Sequence, residues 1–352
     1  MHIAEVVTIA KSLPLLRLNT YKSLILSYSA DYRRILQKNT TLLAFATVLF
    51  AACTAEDGPR PIDTADSGVL IKPTASVYTP PKTRADFTGP VNGTTFIPMA
   101  EKIFGVTAYI DTQVPTSWVA TSRINNASVN SDKNGAYYFD ENKFYPREGQ
   151  LYFYAFSPMV NCAYTGGTET THPIVTYNIT GREDILWAKN ESGIGVSAGV
   201  TSQDQPDFQF EHKLQRVIFS VRRTVGVPNG TTISEIRISG LRTIAMLDII
   251  DGTILFSEDP QHTTLSVSCD VALTGNYFTV PYDLMFEAGI KEFDLTVVMN
   301  DTEYSSHVIM NDENAGKAGY KHNVRITMDG ASLILEEPQI EDWESFETNG
   351  TI

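Results

Sequence analysis

The chain has 352 residues and a formal net charge of −14 at pH 7, because its 41 Asp and Glu residues outnumber its 27 Lys and Arg residues. A surface of this charge repels phosphate groups, which excludes nucleic acid as a partner and argues against peripheral binding to anionic lipid. The three cysteines are too few for a disulfide framework or for a cysteine-based metal site.

Residues 1–52 have the layout of a leader that ends in a bacterial lipoprotein signal peptide. An uncharged, mostly apolar run follows a basic stretch and ends in Ala51, Ala52 and Cys53. The run is too short to span a bilayer, and small residues let a signal peptidase approach the chain just before the cysteine. We expect lipidation of Cys53 and anchoring of the protein in the outer membrane at the cell surface. The alternative is a buried apolar strand.

The rest of the chain is more acidic than the whole. Residues 1–52 hold six basic and two acidic residues, which leaves 21 basic and 39 acidic residues and a charge of −18 on the remainder. The first part of this remainder, residues 53–84, is rich in Pro, Thr and charged residues and has few large apolar side chains to bury. We therefore predict a flexible tether at residues 53–84.

Downstream of the tether, the sequence has the period-two alternation of β-strands. Every second residue from Phe104 to Ile110 is apolar, and the same pattern recurs at residues 293–299 and 320–328. Such alternation buries one face of a strand and leaves the other in solvent. Residues 151–156 are apolar at every position, which predicts a central strand covered on both sides. With the closely spaced turn residues, these patterns predict an all-β protein of sandwich type.

The alternation shifts its phase by one residue near residue 215. Phe208 and His212 lie on the inward face at even positions, whereas Val217 and Val221 continue the apolar face at odd positions. A shift of this kind requires a bulge or a sharp bend. We expect His212 to be a core histidine with a hydrogen-bonded ring.

The Gly-Val-Pro-Asn-Gly sequence at residues 226–230 has strong turn chemistry, and we predict the domain boundary there. The N-terminal domain then covers residues 85–226 and the C-terminal domain covers residues 231–343. Residues 344–352 are left as a short polar tail.

Oxygen-bearing side chains near residue 135 have the spacing of a calcium-binding loop. Asn130, Asp132, Asn134 and Glu141 occupy its first, third, fifth and twelfth positions, with Gly135 at the sixth. The first ligand is Asn instead of Asp, however, and a polar hairpin with an Asn-Gly turn accounts for the same residues. We therefore predict no metal site here, and we expect no cofactor.

No arrangement of residues in the sequence predicts catalysis. The serines lack a Gly-x-Ser-x-Gly elbow, and the histidines have no partner at metal-ligand spacing. We predict that the protein is not an enzyme. Aromatic side chains such as Trp118 and Tyr138 could stack on sugar rings if they are exposed, which leaves a monomeric glycan-binding lipoprotein as an alternative function.

Six segments follow one another along the chain: Gly-Gln-Leu-Tyr-Phe-Tyr-Ala-Phe-Ser-Pro at 149–158, Arg-Glu-Asp-Ile-Leu-Trp-Ala at 182–188, Phe-Gln-Phe-Glu-His-Lys-Leu at 208–214, Ile-Arg-Ile-Ser-Gly-Leu at 236–241, Gly-Tyr-Lys-His-Asn-Val at 319–324 and Ile-Glu-Asp-Trp at 340–343. In order and spacing, behind a lipoprotein signal, they resemble the fimbrillin family of Bacteroides-type bacteria. The resemblance implies two tandem transthyretin-like β-sandwich domains. It also implies a role in cell adhesion as a subunit of type V pili.

The resemblance further implies how such a subunit assembles. An arginine-specific protease removes the first strand of the N-terminal sandwich, and a strand of the next fimbrial subunit fills the groove. Arg84 is the preferred processing site and Arg60 is the second, although either can be an ordinary solvated arginine. The residues of a possible donor strand are Ala331, Ser332, Leu333, Ile334 and Leu335. They can equally form the last strand of this chain's own C-terminal sandwich, the interpretation that we favour.

Overall fold

The structure of the chain is a computed structural model, and it describes residues 65–78, 100–111, 113–119, 121–132, 136–195, 205–259, 263–311, 313, 315–330, 332–336 and 338–341. The predicted leader and polar tail lie outside these residues, as do Cys53, Arg60 and Arg84. The predictions made for them are therefore unchanged by the structure.

All regular secondary structure within the described ranges is β-strand, which confirms the predicted all-β class. The strands, in chain order, are β1 (Asp66–Leu70), β2 (Thr74–Tyr78), β3 (Ala100–Asp111), β4 (Ser122–Ser131), β5 (Tyr137–Phe139), β6 (Phe144–Pro146), β7 (Gln150–Ser157), β8 (Cys162–Thr165), β9 (Ile174–Asn178), β10 (Leu186–Ile194), β11 (Asp207–His212), β12 (Leu214–Arg223), β13 (Thr232–Ser239), β14 (Ile244–Asp248), β15 (Ile254–Ser257), β16 (Thr264–Ala272), β17 (Phe278–Glu287), β18 (Glu292–Met299), β19 (Thr302–Ile309), β20 (Lys321–Asp329), β21 (Ser332–Leu335) and β22 (Gln339–Glu341).

These strands form five sheets. The large sheet has the order β2-β11-β10-β7-β3-β4-β5, and a two-stranded ribbon pairs β1 with β6. The bridging sheet has the order β15-β14-β9-β8. The inner sheet has the order β17-β12-β20-β21, with β22 also paired to β20, and the outer sheet has the order β16-β13-β18-β19.

The large sheet is buried on both faces at its centre. In β7, Phe153 belongs to an N-terminal core, whereas the neighbouring Tyr154 belongs to a second core that continues into the C-terminal half of the chain. This confirms the prediction of a central strand at residues 151–156. In β3 the pattern is the same, because Val106 lies in the N-terminal core and Tyr109 in the second core. The solvated face that we predicted for β3 is therefore absent, since the second core covers it.

The inner and outer sheets enclose the larger part of the second core. Phe219 on β12 and Ile326 on β20 contribute to it from the inner sheet, and Ile236 on β13 and Leu295 on β18 contribute from the outer sheet, all with exposures of 0%. Two sheets that bury alternate residues against each other form a β-sandwich.

The phase shift near residue 215 marks the point where the chain changes sheets. β11 ends at His212 in the large sheet, and β12 begins at Leu214 in the inner sheet, where it runs parallel to β20 and antiparallel to β17. His212 is buried, and its Nδ1 lies 2.8 Å from Asp184 Oδ1. Only Lys213 links the two strands. Across this link the inward-facing positions change from even-numbered residues such as His212 to odd-numbered residues such as Val217. The change of sheet precedes the boundary that we predicted at residues 226–231.

The bridging sheet also crosses the predicted domain boundary. β9, from the predicted N-terminal domain, pairs antiparallel with β14, from the predicted C-terminal domain, with Ile174 opposite Asp248 and Asn178 opposite Ile244. The two predicted domains thus share one hydrogen-bonded sheet. On β8, Cys162 is a free thiol, as is Cys269 on β16.

The predicted tether at residues 53–84 needs correction in its second half. Residues 66–70 and 74–78 are the strands β1 and β2, and Ile71 between them is 2% exposed. The composition was misleading because the apolar side chains of this segment are few and mostly small. They occupy alternate positions, however, which is enough to complete a sheet edge.

Candidate functional site

The edge of the large sheet is completed by the N-terminal segment, defined here as residues 65–78. β2 runs parallel to β11, with Ala75 opposite Phe208 and Val77 opposite Phe210. Along β11 the residues are alternately exposed and buried, and both phenylalanines lie on the buried face. β2 therefore supplies the outermost ladder of backbone hydrogen bonds over an apolar surface.

Polar contacts hold the start of β2 against the large sheet. The backbone N–H of Lys72 donates to Gln205 Oε1 at 2.7 Å, and that of Thr74 donates to the carbonyl of Pro206 at 2.9 Å. The Thr74 hydroxyl also donates to Asp207 Oδ1 at 2.7 Å. These bonds fix the register between β2 and β11.

β1 is not part of the large sheet and pairs with another short strand, β6. It pairs antiparallel with β6, and the backbone N–H of Arg147 donates to the carbonyl of Ala65 at 2.9 Å. The carboxylate of Asp66 forms an exposed ion pair with Arg123. Between β1 and β2, the N–H of Ile71 donates to the carbonyl of Lys143 at 2.8 Å. The N-terminal segment is thus held at two places by the rest of the chain.

An aromatic floor lies beneath the N-terminal segment. The ring centroid of Phe104 is 5.8 Å from that of Phe208, 5.3 Å from that of Phe210 and 5.6 Å from that of Tyr137. Burial raises the pKa of Tyr137. A cavity of about 40 Å³ remains under β2, lined in part by Val77 and by the rings of Phe104, Phe210 and Tyr137.

Apolar side chains of the N-terminal segment cover this floor. Ile71 belongs to the N-terminal core, and Val69, Ala75 and Val77 pack against it. Full burial of an aliphatic side chain such as Ile71 stabilises a fold by about 1.5–3 kcal/mol, and the three partly buried side chains add smaller contributions that also favour the docked segment. These residues were not predicted to form a strand, although their odd-numbered positions carry the signal of a strand face.

The order of the chain gives the two candidate processing sites different consequences. Arg84 follows β2 and precedes β3, so cleavage after it breaks the covalent link between the whole N-terminal segment and the rest of the fold. Arg60 precedes β1, and cleavage there leaves the segment attached. Loss of the segment would uncover Phe208 and Phe210 and leave the β11 edge without a partner.

The possible donor residues lie in this chain's own inner sheet. Ser332–Leu335 is β21, which pairs antiparallel with β20. Leu333 and Leu335 pack against the second core, whereas Ile334 is 46% exposed. Ala331 lies outside the described residues. The alternative that we favoured, a strand of the chain's own sandwich, is the arrangement that the structure has.

The residues with calcium-loop spacing surround the β4–β5 hairpin. Asp132 closes the hairpin, because its backbone N–H donates to the carbonyl of Ala136 at 2.9 Å and its Oδ1 accepts the Ala136 N–H at 2.9 Å. The Asn130 amide donates to Asp140. Glu141 pairs with Lys143 Nζ at 3.1 Å. Asn134 lies outside the described residues.

The two aromatic residues suggested for sugar stacking differ in exposure. Trp118 is 8% exposed and packs edge-on against Tyr109, with ring centroids 5.2 Å apart. Its suggested role is therefore wrong, because no sugar can reach its face. Tyr138 is 47% exposed. It borders a cleft of about 270 Å³ that Lys72 and Asn142 also line.

The described part of the chain has no helix with the length and apolar character that crossing a membrane requires.

Comparison with known families agrees with this architecture. Residues 83–343 match the model of a family described as fimbrillin-like. The chain belongs to the fimbrillin-like family. No curated protein matches its sequence.

Among solved structures, a Bacteroides ovatus protein assigned to cell adhesion aligns with a TM-score of 0.55 and 15% identity, covering 80% of this chain and 100% of its own. A Bacteroides uniformis protein with the same assignment aligns with a TM-score of 0.52 and 16% identity, again over 80% of this chain and 100% of its own. At these identities the likeness shows a common fold. The N-terminal segment lies before the first residue of the family match.

Proposed function

We propose that the protein is a surface-anchored fimbrial subunit that acts in adhesion and assembles by strand exchange at the β11 edge. Membership of the fimbrillin-like family and the fold shared with proteins assigned to cell adhesion support the fimbrial and adhesive role. In this proposal Cys53 carries the lipid anchor in the outer membrane until the subunit is processed.

The N-terminal segment is the observation that carries the proposal. Its second strand, β2, is a short edge strand over an apolar floor, and the whole segment lies before Arg84 in the chain. An uncovered edge strand with an apolar face is a template for pairing with another chain. Cleavage after Arg84 converts the β11 edge into such a template, and a strand of the next subunit then replaces β2.

The donor strand in this proposal is β21. It stands at the edge of the inner sheet, and Leu333 and Leu335 alternate as Ala75 and Val77 do in β2. Alternate apolar residues are what the β11 edge requires of a replacement strand. β21 must leave its own sheet before it can be donated.

Treatment of the chain without residues 1–53 with an arginine-specific protease tests the proposal. Intact mass should show one cut after Arg84, and size-exclusion chromatography and denaturing gels should then show detergent-resistant oligomers. Arg84→Lys should abolish both the cut and the oligomers, whereas the matched variant Arg60→Lys should leave both unchanged. Cleavage after Arg84 without assembly would contradict strand exchange.

A second candidate function is glycan capture by the monomer at the cleft beside Tyr138. An exposed aromatic ring next to lysine and amide side chains can stack on a sugar and bind its hydroxyl groups. Tyr138→Ala should then reduce retardation of the chain in gels that contain polysaccharide. Tyr282→Ala, which removes a tyrosine of similar exposure (46%), is the matched control. Equal retardation of wild type and Tyr138→Ala would exclude this function.

A further inference from the structure

Three potential metal ligands meet where the bridging sheet turns back on itself. His172 precedes β9, Asp248 is the last residue of β14, and Asp251 lies in the turn between β14 and β15. His172 Nδ1 is 2.7 Å from Asp248 Oδ2. One ligand atom from each of the three side chains lies within 4.8 Å of the others.

The turn orders both carboxylates. Asp248 Oδ1 accepts the backbone N–H groups of Ile250 at 2.9 Å and of Asp251 at 3.2 Å, so its Oδ2 is directed at His172. Asp251 Oδ1 accepts the N–H of Thr253 at 2.7 Å, which leaves its second oxygen for a ligand. Each carboxylate is thus held by one oxygen and presents the other, as carboxylates that bind metals commonly do.

The surroundings of His172 restrict its ring as well. The indole of Trp118 packs edge-on against it, with ring centroids 4.9 Å apart. The His172 and Asp248 side chains are 32% and 19% exposed. The group is therefore partly shielded from water but open on the side of the exposed Asp251, where an ion can enter.

We propose that His172, Asp248 and Asp251 bind a divalent transition metal ion such as Zn²⁺. One imidazole and two carboxylates match the donors that such ions take, and water would complete the coordination. Two ligand atoms about 2.0–2.2 Å from one tetrahedral ion lie about 3.3–3.6 Å apart, so His172 Nδ1 and Asp248 Oδ2, now 2.7 Å apart, have to separate slightly to admit it. The bound ion ties the segment before β9 to the β14–β15 turn.

A second histidine with two carboxylate neighbours serves as a matched control. His307 on β19 has its Nδ1 2.9 Å from Asp294 and its Nε2 3.6 Å from Glu292. The two ring nitrogens point in different directions, so these three side chains cannot bind one ion together. The proposal therefore distinguishes His172 from His307 by geometry, although both pair with carboxylates.

Calorimetric titration with Zn²⁺ tests the proposal on the full-length chain, purified in detergent and first stripped with chelator. Wild type should bind one equivalent with saturation, and Zn²⁺ should raise its melting temperature. His172→Asn and Asp251→Asn should each weaken binding at least tenfold. Asp251→Asn keeps an oxygen for the Thr253 N–H, so its metal-free melting temperature should stay close to that of wild type.

His307→Asn should bind Zn²⁺ as wild type does, and Ca²⁺, which prefers oxygen ligands, should not compete for the site. The proposal fails if wild type shows no saturable one-site binding. It also fails if His172→Asn or Asp251→Asn binds with wild-type affinity, or if His307→Asn weakens binding as much as His172→Asn.

Discussion

Trp187 donates its indole N–H to the backbone carbonyl of Ile249 at 2.6 Å, and this bond joins the large sheet to the bridging sheet. Trp187 lies on β10 and is 7% exposed, and Ile249 follows β14. A buried N–H that lost this acceptor would cost about 1–3 kcal/mol. The contact lies within the core that the two predicted domains share.

The packing of Trp187 against this turn should require a glycine at position 252. Its φ is +74°, and a Cβ at this position would lie 2.6–2.8 Å from atoms of the Trp187 indole. Gly252→Ala should destabilise the fold by about 2–5 kcal/mol, from the backbone conformation and from the clash. Gly230 has φ +82° and open space around it, so Gly230→Ala should cost only about 1–2 kcal/mol. Urea unfolding of both variants makes the comparison, and equal losses would contradict the packing argument.

Ile71 should control how firmly the N-terminal segment is docked. It is 2% exposed in the N-terminal core, and truncation of such a residue to alanine costs about 2–5 kcal/mol. Ile71→Ala should therefore speed amide hydrogen exchange of residues 66–78 without a matching change in the inner sheet. Val225→Ala, at a fully exposed position, is the control and should leave exchange as it is in wild type. Uniformly faster exchange in all sheets would mean that the segment does not open by itself.

Loss of one partner of the ion pair between Arg216 and Asp283 should lower the stability of the fold more than loss of a partner in an exposed ion pair. Their side chains are 9% and 11% exposed, and Arg216 Nε donates to Asp283 across the β12–β17 pair. Arg216→Met should cost about 3–5 kcal/mol, because it leaves a nearly buried carboxylate without its cation. Arg237→Met, which removes a more exposed arginine paired with glutamates, should cost at most about 1 kcal/mol. Thermal melting of the two variants tests this, and similar melting temperatures would contradict it.

Buried tyrosines should make the protein sensitive to alkali. Burial raises the pKa of Tyr109, Tyr154 and Tyr177, and a hydrogen bond to Glu191 adds to the increase for Tyr154. The unfolded chain ionises these groups near pH 10, while the folded chain keeps them protonated. Their contribution to stability is therefore complete below about pH 10 and is lost as the pH rises further.

Urea unfolding between pH 8 and pH 11 measures this effect. The free energy of unfolding of wild type should fall above about pH 10, by up to about 1.4 kcal/mol per pH unit for each tyrosine. The free energy of unfolding of Tyr154→Phe should fall less steeply with pH. At pH 8 it should be about 0.5–1.5 kcal/mol below that of wild type, because the hydrogen bond to Glu191 is lost. An identical slope in the variant would show that Tyr154 is not responsible.

Local pattern was sufficient to predict strands but not their partners. The alternation of β3 and the fully apolar β7 were visible in the sequence, and so was the phase shift after His212. A bulge and a change of sheet both reverse the inward face, however, so the sequence could not distinguish them. The pairing of β12 with β20 decides between them, and the residues involved are more than 100 positions apart.

The candidate sites were less predictable because they depend on contacts that are remote in sequence. β2 has only five residues, and its partner β11 lies about 130 residues further along the chain. The composition of its small side chains fits a tether, and only their packing on the aromatic floor shows that they belong to a strand. His172 and Asp248 are 76 residues apart and meet only because β9 pairs with β14.

The most direct test of strand exchange compares two purified chains, one beginning at residue 61 and the other at residue 85, by size-exclusion chromatography with light scattering. The longer chain keeps the N-terminal segment and should be monomeric, whereas the shorter chain should form oligomers. A synthetic peptide of residues 65–78 should return the shorter chain to a monomer by refilling the β11 edge. The same peptide with Ile71→Asp and Val77→Asp should have no effect. A folded shorter chain that stays monomeric without peptide would contradict the account.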